Sequence, residues 1–301
     1  MHISNKLVLG TMYFGTKVPE KDCFAILDRY VELGGRYIDT ANNYADWIHI
    51  PNTRLAASER VLGKWLMCNS GIQKHLTITT KLGQGIPYGF YGQPVESALV
   101  GIRDRLGIIP NFVLLHCDEE HSARVNLCSP KYDENYVNNF TEYWKDFTWH
   151  NVKFGISNIM YGVDTLSLNI LKKAQYCCNP SYPIKFDNEF IKHYTPNLIK
   201  VFRKSYTVLE AYSPFGPDGI LVKDDGVFKQ TALFECLSDV QKLESPCRLI
   251  LSWFNQVVPF IHPVIGVSSV QHLEECMATT DILSNEQVAL LRLPLYHNVF
   301  N

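Results

Sequence analysis

The sequence predicts an α/β protein in which eight parallel strands close into a (β/α)8 TIM barrel, a single domain over residues 1–301. Three observations lead there. Short β-branched or aromatic runs alternate with amphipathic helical patterns along the whole chain. No Ser/Pro linker, low-complexity segment or close repeat interrupts them. The first strand runs into LGTMYFG rather than G-x-G-x-x-G, and no G-x-x-x-x-G-K-[ST] loop occurs, so the phosphate loop of an open dinucleotide sheet is missing and a closed barrel is favoured.

Leu7 to Thr11 reads as the first strand. The helix after it sets Phe24, Leu27 and Val31 on one face, and Gly34 and Gly35 stop it where a positive φ is wanted. Tyr37 to Asp39 is the second strand; Ser58 reads as the N-cap of the next helix, with Val61, Leu62, Trp65 and Leu66 inward. After a third strand, Leu76 to Lys81, Pro94 opens a helix with Val95, Leu99, Ile102 and Leu106 on one side and Gly107 at its end. Phe112 to His116, Val152 to Ser157, Ile184 to Asp187, Tyr206 to Tyr212 and Pro263 to Gly266 complete the eight strands. Ser284 and Gln287 have the spacing of a capping box before Val288, Leu290 and Leu291.

With 28 Lys+Arg against 30 Asp+Glu and no long basic run, the chain has no positive field for phosphate backbones or anionic lipid. Nucleic acid and membrane are therefore not expected partners. No stretch of 18 apolar residues occurs, and MHISNKLVLGTMYFG lacks the features of a signal peptide, so a cytoplasmic location is expected. The nine cysteines are an odd number, scattered and without a C-x-x-C pair, which fits small buried hydrophobes better than disulfides; adjacent Cys177 and Cys178 are the pair with a redox alternative. No metal site is expected. The run HCDEEH from His116 to His121 lies in one loop, and the first strand has no H-x-H pair to complete a hydrolase centre.

In a closed parallel barrel the chemistry gathers at the C-terminal ends of the strands. Asp39 closes the second strand, Lys81 the third and His116 the fourth, with Tyr44 five residues beyond Asp39. A charged residue ending an apolar strand is costly to bury unless paired, and Asp39 can pair with Lys81 on the neighbouring strand, whether for chemistry or only to tie two strands. A cation beside a phenol favours phenolate and lowers a pKa that is about 10 in the free side chain, which makes Tyr44 a usable acid. His116 can orient a substrate oxygen or relay a proton.

In order, GGRYIDTANNYADW, SERVLGKWL, TTKLG, FVLLHCD, VKFGISN, EAYSPFGPDG and PVIGVSS resemble the aldo-keto reductase superfamily. The resemblance spans most of the chain and implies a (β/α)8 barrel that binds NADP(H) in extended form and reduces an aldehyde or ketone, possible sugar-like substrates included. Asp39, Tyr44, Lys81 and His116 match the catalytic tetrad, with Tyr44 as general acid. The resemblance also implies Ser157 and Asn158 on the nicotinamide carboxamide, Tyr212 stacked on the ring, and Ser213, Pro214, Phe215 and Gly216 around the pyrophosphate. Gly10, Thr11 and Met12 after the first strand, and Gly266, Ser268 and Ser269 after the last, complete the implied cofactor site. Trp47 and Tyr13 are the expected walls of a small-molecule carbonyl pocket.

The pattern is broken in places. Aligning on Pro183 and Glu189 puts Asp187 where many relatives have a carboxamide-binding Gln. Ser268 stands where a Lys or Arg often grips the 2′-phosphate, and Cys276 where an Asn often lies near the adenine, so NAD(H) is an alternative cofactor. His272 is expected on a solvated helix surface. The segments 83–93 and 117–138 are candidates for substrate loops, the latter also for a subunit contact. Two alternative functions share the site: an NAD(P)-dependent dehydrogenase of an aldose-type hemiacetal, and a nucleotide-binding regulatory subunit with little turnover.

Overall fold

The computed structural model describes residues 6–45, 48, 55–82, 95–116, 152–157, 176–180 and 208–295. Its strands are β1 (Val8–Gly10), β2 (Tyr37–Asp39), β3 (Thr77–Leu82), β4 (Phe112–Leu115), β5 (Lys153–Ser157), β6 (Tyr176–Pro180), β7 (Val208–Tyr212) and β8 (Ile261–Gly266). Each runs parallel to the next, and β8 pairs with β1, so the sheet curls through the order β1 to β8 and meets itself. The longer helices are α1 (Glu20–Glu32), α2 (Ala57–Cys68), α3 (Val95–Leu106), α4 (Pro246–Gln256), α5 (Val270–Met277) and α6 (Asn285–Leu295). Most of the crossovers between β4 and β7 lie outside the described residues. Among the described residues, no helix is long and apolar enough to cross a membrane.

The two faces of the sheet follow the period-2 alternation of a strand. Leu9, Ile38, Ile78, Val113, Leu209 and Ile265 belong to the large core between sheet and helices. Val8, Phe112, Leu114 and Val264 form a separate cluster, flanked by Tyr37, Val208 and Tyr212, which fills the barrel interior. Residues two or four positions along from these share the interior face. That parity sends Gly10, Asp39, Lys81, His116, Ser157, Glu210, Tyr212 and Gly266 inward at different heights.

The sixth strand corrects the sequence reading: it is Tyr176–Pro180, paired from Tyr176↔Val208 to Pro180↔Tyr212. Ile184 to Asp187 lies outside the described residues. The segment YCCNP has no β-branched residue to announce a strand, yet cysteine packs as a small hydrophobe and suits an interior sheet.

The first helix is also turned from its expected face. It buries Cys23, Ile26, Leu27 and Tyr30, while Phe24 and Val31 are only partly covered. Tyr30 wins the inward place through its polar tip: its hydroxyl donates toward the Leu7 carbonyl at 2.7 Å and accepts from Tyr37 N–H at 3.1 Å. Gly34 alone has the left-handed stop, at φ 93°. Gly35 serves packing instead, since a Cβ there would sit 2.3 Å from the Tyr30 ring.

Ser58 does not cap α2; Ala56 holds the N-cap position at φ 58°. Ser58 is buried in the first turn, its Oγ 2.6 Å from Thr11 Oγ1 and 2.8 Å from Thr40 Oγ1, and so ties the exits of β1 and β2 to the helix. In α3, Leu99, Ile102 and Leu106 are buried as expected and Gly107 follows at φ 70°. Pro94 and the Val95 side chain lie outside the description. The capping box at α6 forms: Ser284 N–H donates to Gln287 Oε1 at 2.8 Å and Gln287 N–H to Ser284 Oγ at 3.2 Å. Leu291 is buried there, but Leu290 is exposed.

Candidate active site

The exit of β2 is held by backbone bonds that continue the sheet past its last residue. Thr11 donates both its N–H and its hydroxyl to the Asp39 carbonyl, at 3.0 and 2.9 Å. Thr40 N–H reaches Thr79 O at 2.9 Å and Asn42 N–H reaches Lys81 O at 3.0 Å, so this turn tracks β3. Ala45 then takes a left-handed turn at φ 62°. Tyr44, just before it, is half-buried above Lys81.

There the predicted residues meet. The Lys81 ammonium donates to Asp39 Oδ1, to the Tyr44 hydroxyl oxygen at 2.6 Å and to the Thr40 carbonyl at 3.3 Å. The Tyr44 hydroxyl donates in turn to Asp39 Oδ2 at 2.9 Å. Asp39 and Lys81 are 1% and 2% exposed, so the ion pair is desolvated and depends on these hydrogen bonds to offset burial. His116, held by its N–H to Leu82 O, presents its ring to Tyr44 edge-on, with centroids 5.9 Å apart at 75°. The arrangement couples a phenol to a cation that has a second, anionic anchor, which is what acid catalysis toward an oxygen needs.

Two carboxylates around this centre went unnoticed in the sequence. Glu210 is fully buried on β7, and burial holds its carboxyl well above the usual range; the Asp39 charge adds to that rise and the Lys81 charge opposes it. Its signal was its place in EAYS, two residues before Tyr212 and hence on the same strand face. Glu59 is also fully buried, in α2, where it accepts from the Thr80 hydroxyl and from Arg105 Nε, each at 2.6 Å. It thereby fixes β3, the strand that carries Lys81, from the helix side.

The expected cofactor residues fall on the same rim. Gly10 pairs with both Asp39 and Gly266, and Tyr212 pairs with Val264, which puts the ends of β7, β8, β1 and β2 side by side. Ser157 is buried at the end of β5. Met12, Tyr13, Tyr212 and Ser213 are half-buried, Pro214, Phe215 and Gly216 are covered, and Gly266, Ser268 and Ser269 are exposed. Ser213, Gly216, Asp218 and Gly219 all have positive φ, and alternation of this kind lets successive N–H groups form an anion-binding concavity. The flank of Gly266 is open, with nothing within 4 Å of where a Cβ would stand. Ser269 caps α5, accepting from His272 N–H at 3.1 Å, and leaves a helix N-terminus facing this rim. These features suit a long anionic ligand lying along β7, β8 and α5.

Trp47, Asn158 and Asp187 lie outside the described residues, as do segments 83–93 and 117–138. Since β6 ends at Pro180, the strand-end place given to Asp187 belongs to Pro180. His272 is not merely solvated: its ring lies 6.3 Å from that of Phe215, in the loop after β7, and its donors face Cys247 and Cys276.

Residues 6–143 match the model of the Aldo/keto reductase family. An uncharacterized 11.2 kDa protein in the crtE 3′ region of Pseudescherichia vulneris is 38% identical over 80 residues, 27% of this chain and 76% of that protein. Norsolorinic acid reductase stcV of Emericella nidulans is 38% identical over 82 residues, 25% of this chain but only 19% of the reductase. Among solved structures, an aldo-keto reductase from Klebsiella pneumoniae in complex with NADPH superposes with a TM-score of 0.67, at 18% identity, over 95% of this chain and 89% of that one. At that identity the likeness is one of fold.

Proposed function

Since the chain belongs to the aldo-keto reductase family, we propose that it is an oxidoreductase that uses NADP(H) to reduce the carbonyl of a small aldehyde or ketone. The observation that carries this reading is the Lys81 ammonium bound at once to Asp39 and, at 2.6 Å, to the Tyr44 hydroxyl. We take residues 1–301 as one (β/α)8 domain whose rim holds both cofactor and substrate.

The nicotinamide, when bound, supplies the hydride for the carbonyl carbon. Tyr44 supplies the proton: with a carbonyl oxygen against its Oη, the hydroxyl hydrogen turns from Asp39 Oδ2 to that oxygen. Negative charge then grows on the phenolic oxygen, where the buried Lys81 ammonium stabilises it. Acid catalysis of this kind contributes roughly 10²–10⁴ in rate. Asp39 holds Lys81 in line, and His116 fixes the Tyr44 ring and faces the substrate oxygen. Burial holds the Glu210 carboxyl well above its usual range, which favours its uncharged form and limits its competition with Asp39 for the Lys81 ammonium. Ser157 and Asn158 are assigned to the carboxamide, Tyr212 to stacking on the ring, the Ser213 to Gly219 loop to the pyrophosphate, and Ser268 and Ser269 to the adenosine end. No cation stands at Ser268 or Ser269, so NADH remains the comparison cofactor.

Parallel titrations with NADPH and NADH, read by the fluorescence of the five tryptophans, test the cofactor assignment. NADPH is expected to bind more tightly, and no binding of either would refute the reading. Tyr44→Phe is expected to keep cofactor affinity and to lower kcat by about 10²-fold or more. Retained turnover would move the acid elsewhere.

A further inference from the structure

Beside the loop after β7, where the His272 ring lies 6.3 Å from that of Phe215, α4 and α5 bring three metal-ligating side chains together. Cys247 is the second residue of α4, and His272 and Cys276 stand one turn apart on α5. Their donor atoms all lie within 4.8 Å of one another. The two Sγ atoms are 3.3 Å apart, both cysteines are buried, and His272 is half-buried. We propose that Cys247, His272 and Cys276 bind a borderline or soft divalent cation of the zinc type, with solvent in the fourth position.

The geometry favours this over the alternatives. In a tetrahedral site with metal–sulfur distances of about 2.3 Å, two thiolates stand roughly 3.8 Å apart. The observed pair would open by about half an ångström to admit the ion. A disulfide at about 2.05 Å would instead require the sulfurs to close by more than an ångström. Plain hydrophobic packing explains two buried thiols but not an imidazole aimed at both. Two thiolates, a neutral imidazole and a divalent cation sum to zero charge, so the loaded cluster can stay buried, and thiol protons are released as it forms. The half-buried edge of His272 is the entry path and the side on which the fourth ligand sits. The cluster stands whether or not a nucleotide binds at the rim.

The test uses the whole chain, reduced and stripped of metal with a chelator, titrated with Co²⁺ as a spectroscopic stand-in. One equivalent per chain is expected, with sulfur-to-cobalt charge transfer and d–d bands of tetrahedral intensity, both lost when one equivalent of Zn²⁺ is added. Cys247→Ser and Cys276→Ser should each remove about half of the charge-transfer intensity and weaken binding at least tenfold. His272→Ala, at a half-buried position, should weaken binding similarly while circular dichroism and the thermal melt report an intact fold, which separates lost ligation from unfolding. Two results would overturn the site: no tetrahedral spectrum, or full charge transfer in the Cys247→Ser/Cys276→Ser double variant.

Discussion

His262 enters the barrel interior from β8, its ring edge-on to that of Tyr37 at 5.9 Å. Burial, with a smaller push from Lys6, lowers its pKa from 6.5 to about 4. Between those values the unfolded chain binds the extra proton and the native one does not, so the contribution to stability is complete above pH 6.5 and is lost as pH falls through 4. The shift corresponds to at most about 3 kcal/mol. Urea midpoints measured from pH 7 to pH 4 should fall more steeply for the wild type than for His262→Gln; superimposable curves would clear His262 of the acid sensitivity. The residues legible in the sequence were those whose chemistry clashes with their surroundings: Asp39, Lys81 and His116 each end an apolar run, and Tyr44 follows at short range. Glu59 and Glu210 were missed because nothing local distinguishes a buried carboxylate in a helix or a strand from an exposed one. Ser58 was misread for a related reason, since a serine ahead of an amphipathic pattern looks alike as a cap and as a buried tie between two strands.

The contact between α2 and α3 is set by Gly63, where a Cβ would fall 2.0 Å from the carbonyl oxygen of Arg105. The obstacle is backbone, so no side chain can swing aside. In an open helix Gly→Ala is favourable by about 1 kcal/mol, whereas here the forced separation should outweigh it and leave a net loss on the order of 1–3 kcal/mol. Chemical unfolding of Gly63→Ala checks this, and an equally stable variant would mean that the helices part without cost. Element type and order were readable where a glycine closed the apolar pattern, as in α3, or a capping box opened it, as in α6. They were not readable where tertiary contact chose the outcome. A tyrosine with two backbone partners turned α1 away from its expected face, and YCCNP became a strand through its pairing with β7.

At the scale of the molecule, a ligand lying along β7, β8 and α5 would fasten the seam where the sheet meets itself. If NADPH binds there at a hundredfold excess over its Kd, native stability rises by about 2.7 kcal/mol. Thermal melts with and without NADPH should therefore separate by several degrees, equally for the wild type and Tyr44→Phe; unchanged melting in both would remove the nucleotide from the rim. The barrel was legible as a whole from the alternation of elements and the missing phosphate loop. The register at its closing seam was not, because no local signal says that Val8 will lie beside Val264. That seam also governs the order of events on the ribosome. β1 leaves the exit tunnel long before β8 is made, and at roughly 5–20 residues per second the wait is on the order of tens of seconds. Until then the backbone N–H and C=O groups on one side of β1 have no strand to pair with, and the nascent sheet carries an open edge on which a neighbouring chain can template. Shielding by chaperones is needed most during that interval, and substitutions in β8 should reduce soluble yield more than their effect on the finished barrel alone would suggest.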